Sequence, residues 1–389
     1  MRDVVIVEAA RTPTGKFRGA LSDVRADHLG AHVLREIVRR TGIDPARVDD
    51  VVFGCVTQVG EQCGNIARTA LLSAGWPASV PGMTVDRKCG SSEAAVHVAF
   101  AQIAAGVNDI VVAGGAENMT RVPMGGNRDV HGKPFGWKLL ESFEQIPQGE
   151  AAERVADQWK LSRADLDDYA LISQQRAAAA ADLGHFDREI VPVPIREWSE
   201  SREGSDVTFA RDETIRRDTN RDKLGTLKTS FRPDGRVTAG NSSQISDGAA
   251  ALLLMAGDVA KALGLTPKAR IRCVTTAGSD PTLMLTGPIA ATRRVLAKSG
   301  LSSDDVDLFE VNEAFASVPL MWMREIKVAH EKVNVNGGAI ALGHPLGASG
   351  ARIMTTLVHE LARRDATIGL QTICCAGGLA TATILERLS

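Results

Sequence analysis

The sequence predicts an α/β fold built from two similar halves. Strand-like segments alternate with helical ones along the chain, a pattern that favours parallel sheets covered by helices. The distance along the chain from Asp50 to Asp109, where two strand-like segments begin, equals that from Asp307 to Ala366, where two others begin. Equal spacing indicates an internal duplication, with chance echoes within one α/β protein as the alternative. Two such layers, joined face to face, would bring the loops after their strands to one site.

A stretch of different character separates the halves. It begins with RVPMGGNRDVHGKPFG, which contains four glycines and two prolines, and continues through a helical and then a strongly polar segment. This composition is typical of an inserted loop domain rather than of another sheet layer. We therefore predict a loop domain at 119–238, an N-terminal half formed by 1–118 plus 239–262, and a C-terminal half at 263–389.

The composition shows no bias toward a polyanionic partner. The 389 residues are 44% hydrophobic and 24% charged, and their formal net charge is −2. This length allows two or three ordinary domains and a large core. A nearly neutral chain carries no electrostatic footprint of nucleic acid or of an anionic membrane surface, so neither partner is expected.

The six cysteines and the hydropathy pattern favour a reducing compartment. No pair of cysteines has CxxC spacing, so we expect no metal site, and six thiols in this length are too few for a disulfide scaffold. Neither a signal peptide nor an apolar run of membrane-spanning length is recognised. We expect a cytoplasmic protein.

One cysteine precedes a long helical pattern of small residues and is the first candidate for chemistry. It is Cys89, which lies between Lys88 and Gly90 in VDRKCGSSEAAVHVAFAQIAAG. We expect Gly90 to permit a tight bend and Ser91 or Ser92 to cap the helix. Apolar residues then recur at helical spacing: Ala95, Val98, Ala99 and Ile103. A thiol at a helix N-terminus beside a lysine is shifted toward the nucleophilic thiolate; the alternative is a small residue in an ordinary turn.

Further candidate side chains lie in loops or at strand ends. Asn312 follows a strand in VNEAFA, His344 lies in the glycine-rich NVNGGAIALGHPLGASG, and Cys374 and Cys375 end a strand in TICCAGGLATA. Each has a structural alternative as a turn, a close packing contact or a buried thiol, and no GxGxxG follows the first strand. Together they supply what carbon–carbon bond chemistry at a thioester requires: an acyl-carrying nucleophile, a base, an acid for carbon, and donors for an enolate.

Taken together, the motifs resemble the thiolase family of acetyl-CoA acetyltransferases and 3-ketoacyl-CoA thiolases. The resemblance covers nearly the whole chain and rests on segments in the family's order: EAARTPTGKFRGALS, CGSSEAAVHVAFAQIAAG, AGGAENM, VTAGNSSQISDGAAA, VNEAFA, NVNGGAIALGHPLGASGAR and CCAGG. It implies two halves of βαβαβαββ topology in a five-layered αβαβα arrangement with an inserted loop domain. It also implies reversible acyl transfer between CoA thioesters through an acyl-cysteine, with no cofactor beyond CoA.

The resemblance also implies a role for each motif residue. Cys89 resembles the acyl-accepting nucleophile, His344 the base that activates it, and Cys374 the acid/base thiol of the CxGGG motif. Asn312 resembles the asparagine that holds a water in the enolate oxyanion hole, with His344 as the second donor. The backbone N–H groups of Cys89 and Ala376 would form the other oxyanion hole.

Ser243 and Arg216 fall where the family contacts the pantetheine arm and the nucleotide of CoA. Three departures from the family matter. An alanine, Ala376, replaces a glycine of CxGGG, and Cys375 is an additional thiol whose role is open. The chain has PQG at 147–149, where the acetoacetyl-CoA branch has HMG, and the segment 119–149 is shorter than the tetramer-forming loop of that branch. We therefore expect an acyl range wider than acetoacetyl, and a homodimer rather than a homotetramer.

Two other functions stay open as alternatives. A decarboxylating 3-ketoacyl synthase shares the fold and a cysteine nucleophile, but it pairs that cysteine with two histidines, or with a histidine and an asparagine. A non-catalytic acyl-CoA-binding protein should have lost at least one of Cys89, His344 and Cys374, and all three are present.

Overall fold

The computed structural model describes residues 2–128, 130–202 and 205–388. Its strands are β1 (Val4–Arg11), β2 (Gly15–Lys16), β3 (Asp50–Gly54), β4 (Gly82–Val85), β5 (Ile110–Asn118), β6 (Val193–Pro194), β7 (Thr208–Phe209), β8 (Ser246–Ala256), β9 (Ala269–Gly278), β10 (Leu308–Val311), β11 (Ile368–Cys375) and β12 (Leu379–Arg387). Its α-helices are α1 (Ala26–Thr41), α2 (Ile66–Ser73), α3 (Ser91–Ala104), α4 (Trp137–Ser142), α5 (Gln148–Gln158), α6 (Arg163–Asp182), α7 (Ile195–Trp198), α8 (Arg221–Gly225), α9 (Gly257–Ala262), α10 (Gly287–Ser299), α11 (Ser317–Ile326), α12 (Ala339–Leu342) and α13 (Ser349–Arg363).

The predicted duplication is confirmed by strand order. The N-terminal half has the order β4–β3–β5–β8–β1, and the C-terminal half has the order β10–β11–β12–β9. In the N-terminal half β4–β3 and β3–β5 are parallel, whereas β5–β8 and β8–β1 are antiparallel. In the C-terminal half β10–β11 is parallel, whereas β11–β12 and β12–β9 are antiparallel. Helices cover both faces of these strands, so β1 and β8 are buried along their whole length and are almost continuously apolar.

A hydrogen-bond pattern also recurs between the halves. The carboxylate of Asp49 accepts the backbone N–H groups of residues 109 and 110, at 2.7 and 2.8 Å. The carboxylate of Asp307 accepts those of residues 367 and 368, at 2.8 and 2.9 Å. In both halves an aspartate at the start of one strand therefore fixes the start of its parallel neighbour, which explains the equal spacing seen in the sequence.

The C-terminal half departs from βαβαβαββ topology at its third strand. Where the N-terminal half has β4, the described part of the C-terminal half has only one parallel bridge, between Phe309 and Val333. The side-chain amide of Asn334 continues the pairing, since it donates to the carbonyl of Val311 and accepts from its N–H group, both at 2.8 Å. One side chain thus replaces a strand, and the residues that follow are left to form the loop of His344.

The helices complete the predicted five layers. α1 and α2 cover the outer face of the N-terminal sheet, α10 and α11 lie outside the C-terminal sheet, and α3 and α13 pack against each other between the two sheets. The sequence suggested two separate sheets, but the structure joins them into one, because β1 pairs with β9 over two residue pairs, Val5 with Arg270 and Ile6 with Ala269.

The segment 119–238 carries α4 to α8 and the small β6–β7 sheet, and contributes no strand to the large sheet within its described residues. A buried ion-pair network anchors it to β1: the Arg11 guanidinium binds Glu189 at 2.6 Å and both carboxylate oxygens of Asp212 at 2.8 and 2.9 Å. In the described residues, no helix has the length and apolar character needed to cross a membrane.

Candidate active site

Cys89 lies in the turn between β4 and α3 and is buried, with 4% of its surface exposed. The helix begins at Ser91, as the apolar spacing predicts, but the expected serine cap is absent. Gly90 occupies the cap position, and the Ser91 hydroxyl instead closes the turn by donating to the carbonyl of Lys88 at 2.6 Å and accepting from the N–H of Arg87 at 2.9 Å.

The glycine at position 90 is explained by close approach rather than by a bend. Its φ of −89° is open to any residue, whereas Lys88 has the left-handed φ of 51°. A Cβ atom at position 90 would fall 2.7 Å from the sulfur of Cys375 and 3.0 Å from the Thr381 hydroxyl. Gly90 therefore lets the turn that carries Cys89 sit directly against the end of β11.

The expected shift of Cys89 toward thiolate is wrong for the free protein. Burial raises the pKa of the Cys89 thiol to about 11, and its own N–H group, the Gln148 amide and the Ala376 N–H offset only part of this effect. Lys88 does not help, because its ammonium group pairs with Asp86 at 2.6 Å in an exposed position. Desolvation thus outweighs the helix dipole, and the resting residue is a thiol.

His344 is held in a buried loop between α12 and α13. Gly343 precedes it with a φ of 82°, and a Cβ there would lie 2.7 Å from the Ser246 hydroxyl. The backbone N–H of His344 donates to that hydroxyl at 2.6 Å and to the carbonyl of Gln244 at 3.1 Å. Burial lowers the pKa of His344 to about 3, so the resting imidazole is neutral.

A serine not singled out in the sequence fixes the tautomer of His344. Ser349, the first residue of α13, donates its single hydroxyl hydrogen to the Pro345 carbonyl at 2.8 Å, since a carbonyl can only accept. His344 Nδ1 lies 2.6 Å from the same oxygen and must therefore donate to it. The unprotonated nitrogen is then Nε2, which faces the Asn312 amide nitrogen at 3.5 Å. Nε2 is free to accept a proton.

The Asn312 side chain connects His344 to the second thiol. Asn312 directly follows β10, and its amide also lies against the Cys374 thiol. Burial and the neighbouring Cys89 raise the pKa of Cys374, so this group is a thiol at rest. The Oδ1 atom of Asn312 is buried with no hydrogen-bond partner in the described part of the chain. A buried acceptor without a partner is costly and indicates a place for a water or a substrate group.

Cys375 packs close to Cys89, although alternation along β11 would place the side chains of Cys374 and Cys375 on opposite faces, with only one of them toward Cys89. Strand alternation does separate the two vicinal thiols, but Cys375 belongs to the apolar cluster that contains Cys89 and Leu346. Cys374 belongs instead to the core cluster beneath α10 and α11, which also contains Ala314. Both thiols lie near Cys89, and Cys374 is the one in contact with Asn312.

A buried carboxylate organises the loops around this site and was not recognised in the sequence. Glu117, near the end of β5, accepts the N–H groups of Val56 and Thr57, both at 2.9 Å, and that of Gly347 at 2.8 Å. Burial raises its pKa. A charged residue within a strand of otherwise small and apolar residues, IVVAGGAEN, was the available signal. Glu117 locks the His344 loop against the loop after β3.

Two adjoining cavities give access to the site. The inner one contains Cys89 and His344, and its other lining residues are Met119, Met124, Gln148, Phe231, Ser242, Ser243, Gln244, Ile245, Ala314, Phe315 and Leu346. The outer cleft contains Arg216, and it shares the segment 242–245 with the inner cavity. Ser243 therefore lies between Cys89 and Arg216. No group of three or more metal-binding side chains is found among the described residues.

We predict that Ser349→Ala slows acylation of Cys89 by about 10–100-fold, because a hydrogen bond to a charged group contributes ~1.5–3 kcal/mol and Nδ1 must bear charge once Nε2 is protonated. His344→Ala should cost more, about 10²–10⁴-fold. Rapid-quench measurement of acetyl-enzyme formation tests this. Thr355→Ala is the matched control, since among the described residues its hydroxyl bonds only the Ala351 carbonyl in the same helix. Equal rates in the Ser349 and Thr355 variants would contradict the tautomer assignment.

The fold and this arrangement of two thiols, an imidazole and an amide define the class. The chain matches the thiolase N-terminal domain over residues 4–258 and the thiolase C-terminal domain over residues 265–387. It belongs to the thiolase family, and it is an acyltransferase that cleaves or forms 3-ketoacyl-CoA thioesters.

Similar proteins have this activity on different substrates. Steroid 3-ketoacyl-CoA thiolase FadA6 of Mycobacterium tuberculosis is 45% identical over 100% of this chain and 95% of its own. Acetyl-CoA acetyltransferase of Pseudomonas aeruginosa is 45% identical over 100% of both chains. The crystal structure of the Bacillus anthracis acetyl-CoA acetyltransferase superimposes with a TM-score of 0.92 at 42% identity, covering 100% of this chain and 99% of that one.

Proposed function

We propose that this thiolase acts on 3-ketoacyl-CoA thioesters whose acyl group is larger than acetoacetyl, and that it works through Cys89, His344, Cys374 and Asn312. The observation that carries the proposal is the shared wall at 242–245, which connects the cavity of the nucleophile to the Arg216 cleft. A CoA thioester placed along this wall would bring its acyl group to Cys89. CoA is the only cosubstrate in this proposal, and no resident cofactor takes part.

In the first stage Cys89 takes the acyl group. His344 Nε2 accepts the thiol proton as the sulfur attacks the 3-keto carbon, and the carbonyl electron pair moves to oxygen. This alkoxide accepts hydrogen bonds from the N–H groups of Cys89 and Ala376. When the carbonyl re-forms, the bond between carbons 2 and 3 breaks, and its electrons form the acetyl-CoA enolate. The Cys374 thiol then protonates carbon 2.

In the second stage CoA releases the acyl group. The Cys374 thiolate takes the proton of the CoA thiol, and the CoA sulfur attacks the acyl carbon on Cys89. Collapse of this intermediate expels Cys89, which recovers its proton from His344. The enolate oxygen of the first stage faces His344 Nε2–H, now protonated, and a water held by Asn312, whose partnerless Oδ1 supports such a water. The same steps run backward as a Claisen condensation.

The lining of the inner cavity supports an acyl group larger than acetoacetyl. Its outer wall is apolar and reaches solvent, since Met124, Phe231 and Ile245 are 56%, 44% and 44% exposed. PQG at 147–149 lacks the histidine and methionine that close on a short chain in the acetoacetyl-CoA branch. The relatives do not decide the point, because acetyl and steroid thiolases are equally similar to this chain.

We expect the kcat/KM for a medium-length or branched 3-ketoacyl-CoA to equal or exceed that for acetoacetyl-CoA. The physical reason is that additional methylene groups can contact the apolar wall, at ~0.8 kcal/mol for each buried CH₂. Steady-state thiolysis across a panel of chain lengths, with CoA saturating, measures this. Strict preference for acetoacetyl-CoA would show that the cavity closes on short chains despite the PQG sequence.

The same proposal includes a cytoplasmic homodimer. β4 pairs only with β3 in the described structure, and its outward residue Met83 is 37% exposed. Such an open edge is a template for pairing with a second copy. Light scattering that reports a monomer or a tetramer would contradict the dimer.

A further inference from the structure

The side chain of Gln148 has no role in the mechanism above, yet it lies at the reactive sulfur. Gln148 is half-buried and lines the cavity that contains Cys89 and His344. Within the described residues its amide donates to no oxygen or nitrogen atom of the protein, and it lies close enough to the Cys89 sulfur to lower the pKa of that thiol. A carboxamide that has two N–H donors and faces one sulfur is available to whatever group that sulfur carries.

The backbone around Gln148 is fixed by packing. Gln148 is the first residue of α5 and follows Pro147, whose φ of −59° suits a helix start. Gly149 is buried against the Phe231 ring, and a Cβ at this position would lie 2.2 Å from three ring carbons. Phe231 in turn packs edge-on against Phe315, with ring centroids 6.1 Å apart. This close contact holds the start of α5, and therefore Gln148, beside the nucleophile.

The groups around the sulfur divide into those that favour negative charge and those that oppose it. Burial and the Glu117 carboxylate raise the pKa of Cys89. Three hydrogen-bond donors lower it: the N–H of Cys89 itself, the Gln148 amide and the N–H of Ala376. Two of these donors are the backbone groups assigned above to the oxyanion hole. Gln148 is the side chain among them.

We propose that the Gln148 amide is a third donor of this oxyanion hole and hence a catalytic residue of the acyl-transfer half-reaction. The inference rests on the proposed function, because it requires an acyl group on Cys89. In the acetoacetyl-CoA branch the middle residue of HMG is methionine, whose side chain has no N–H group. This chain therefore has a side-chain donor at a position where that branch has none.

The step assisted by Gln148 is addition to the carbonyl. The sulfur–carbon bond forms as the carbonyl electron pair moves onto oxygen, while His344 receives the thiol proton. The amide donates a hydrogen bond to that oxygen and transfers no proton. When the carbonyl re-forms, either the carbon–carbon bond or the bond to Cys89 breaks, and the amide returns to the sulfur. The enolate stage, which uses Cys374 and Asn312, does not involve Gln148.

The test compares variants that separate donation from volume. Gln148→Met keeps the length of the side chain and removes its donors, whereas Gln148→Ala removes both. Gln158→Met is the matched control, because Gln158 is the exposed last residue of the same helix. The measurements are the rate of Cys89 acetylation by acetyl-CoA under rapid quench, the rate of Cys89 alkylation by iodoacetamide at pH 8, and exchange of the acetyl-CoA α-protons with deuterated solvent.

We expect Gln148→Met and Gln148→Ala to slow acetylation to a similar extent, by about 10²-fold, the loss typical of one oxyanion donor. Alkylation should slow as well, since the thiolate loses a donor, while α-proton exchange and the Gln158→Met enzyme should stay within about threefold of wild type. Acetylation of Gln148→Met at the wild-type rate would overturn the proposal, whether or not Gln148→Ala is slow. A wild-type enzyme that carries no acetyl group on Cys89 would instead contradict the proposed function.

Discussion

Replacement of Cys89 by serine is expected to abolish turnover and acyl-enzyme formation while the fold survives. The hydroxyl is a far weaker nucleophile than the thiolate, and its proton is much harder for His344 to remove than that of a thiol. The loss should exceed the ~10²–10⁴-fold contribution of a general acid–base group. Mass spectrometry after incubation with acetyl-CoA, together with steady-state thiolysis, measures both effects.

Serine is nearly isosteric with cysteine, so the Cys89→Ser protein should melt within a few degrees of wild type. This control matters because Cys89 is buried against Cys375 and Leu346. A serine variant that keeps more than a small fraction of the wild-type rate would remove Cys89 from the role of nucleophile. Acetylation found on another cysteine of the wild-type enzyme would do the same.

The two vicinal thiols should give opposite phenotypes. Cys374→Ala is expected to become acetylated at Cys89 but to lose exchange of the acetyl-CoA α-protons with deuterated solvent, because the acid/base group for carbon is gone. General acid–base catalysis predicts a loss of about 10²–10⁴-fold in exchange. Cys375→Ala should retain both reactions, since Cys375 contacts the apolar cluster and not Asn312.

This comparison is sharper than the sequence alone would make it, because the structure places both sulfurs near Cys89. Exchange of the α-protons, detected by mass spectrometry, and formation of the acetyl-enzyme are both measured on the same sample of each variant. A reaction that the variant retains shows that the variant is folded. Swapped phenotypes would assign the catalytic thiol to Cys375 and would show that the strand reaches the site with its other face.

The fold was predictable because its signals are periodic and repeated. The equal spacing of the strand starts indicated the two halves. In each half an aspartate, Asp49 or Asp307, accepts backbone hydrogen bonds at the start of the neighbouring parallel strand, and the equal spacing keeps this contact in both halves. The missing third strand of the C-terminal half was not predictable. A single asparagine side chain, Asn334, makes the hydrogen bonds that a strand would make. The pattern of apolar residues does not indicate that a side chain takes the place of a strand.

Within the site, the identities of the candidate residues were readable, but the electrostatics and packing were not. Position at a helix start suggested a thiolate at Cys89, whereas the pKa depends on burial that only the assembled layers create. Ser349 and Glu117 were missed for a similar reason. Glu117 binds the N–H groups of loops that are distant from it in sequence. Ser349 acts through hydrogen bonds within a turn, and no sequence motif records these bonds. Their partners become visible only in three dimensions.

The wall formed by residues 242–245 has a consequence for how this enzyme could change its substrate. Ile245 and its neighbours face the acyl cavity on one side and the Arg216 cleft on the other. A substitution that reshapes one side displaces the other, so under the proposed binding mode a change of acyl preference here would also alter the binding of CoA. Diversification is then easier from Met124 or Leu346, which touch the acyl cavity and do not line the cleft.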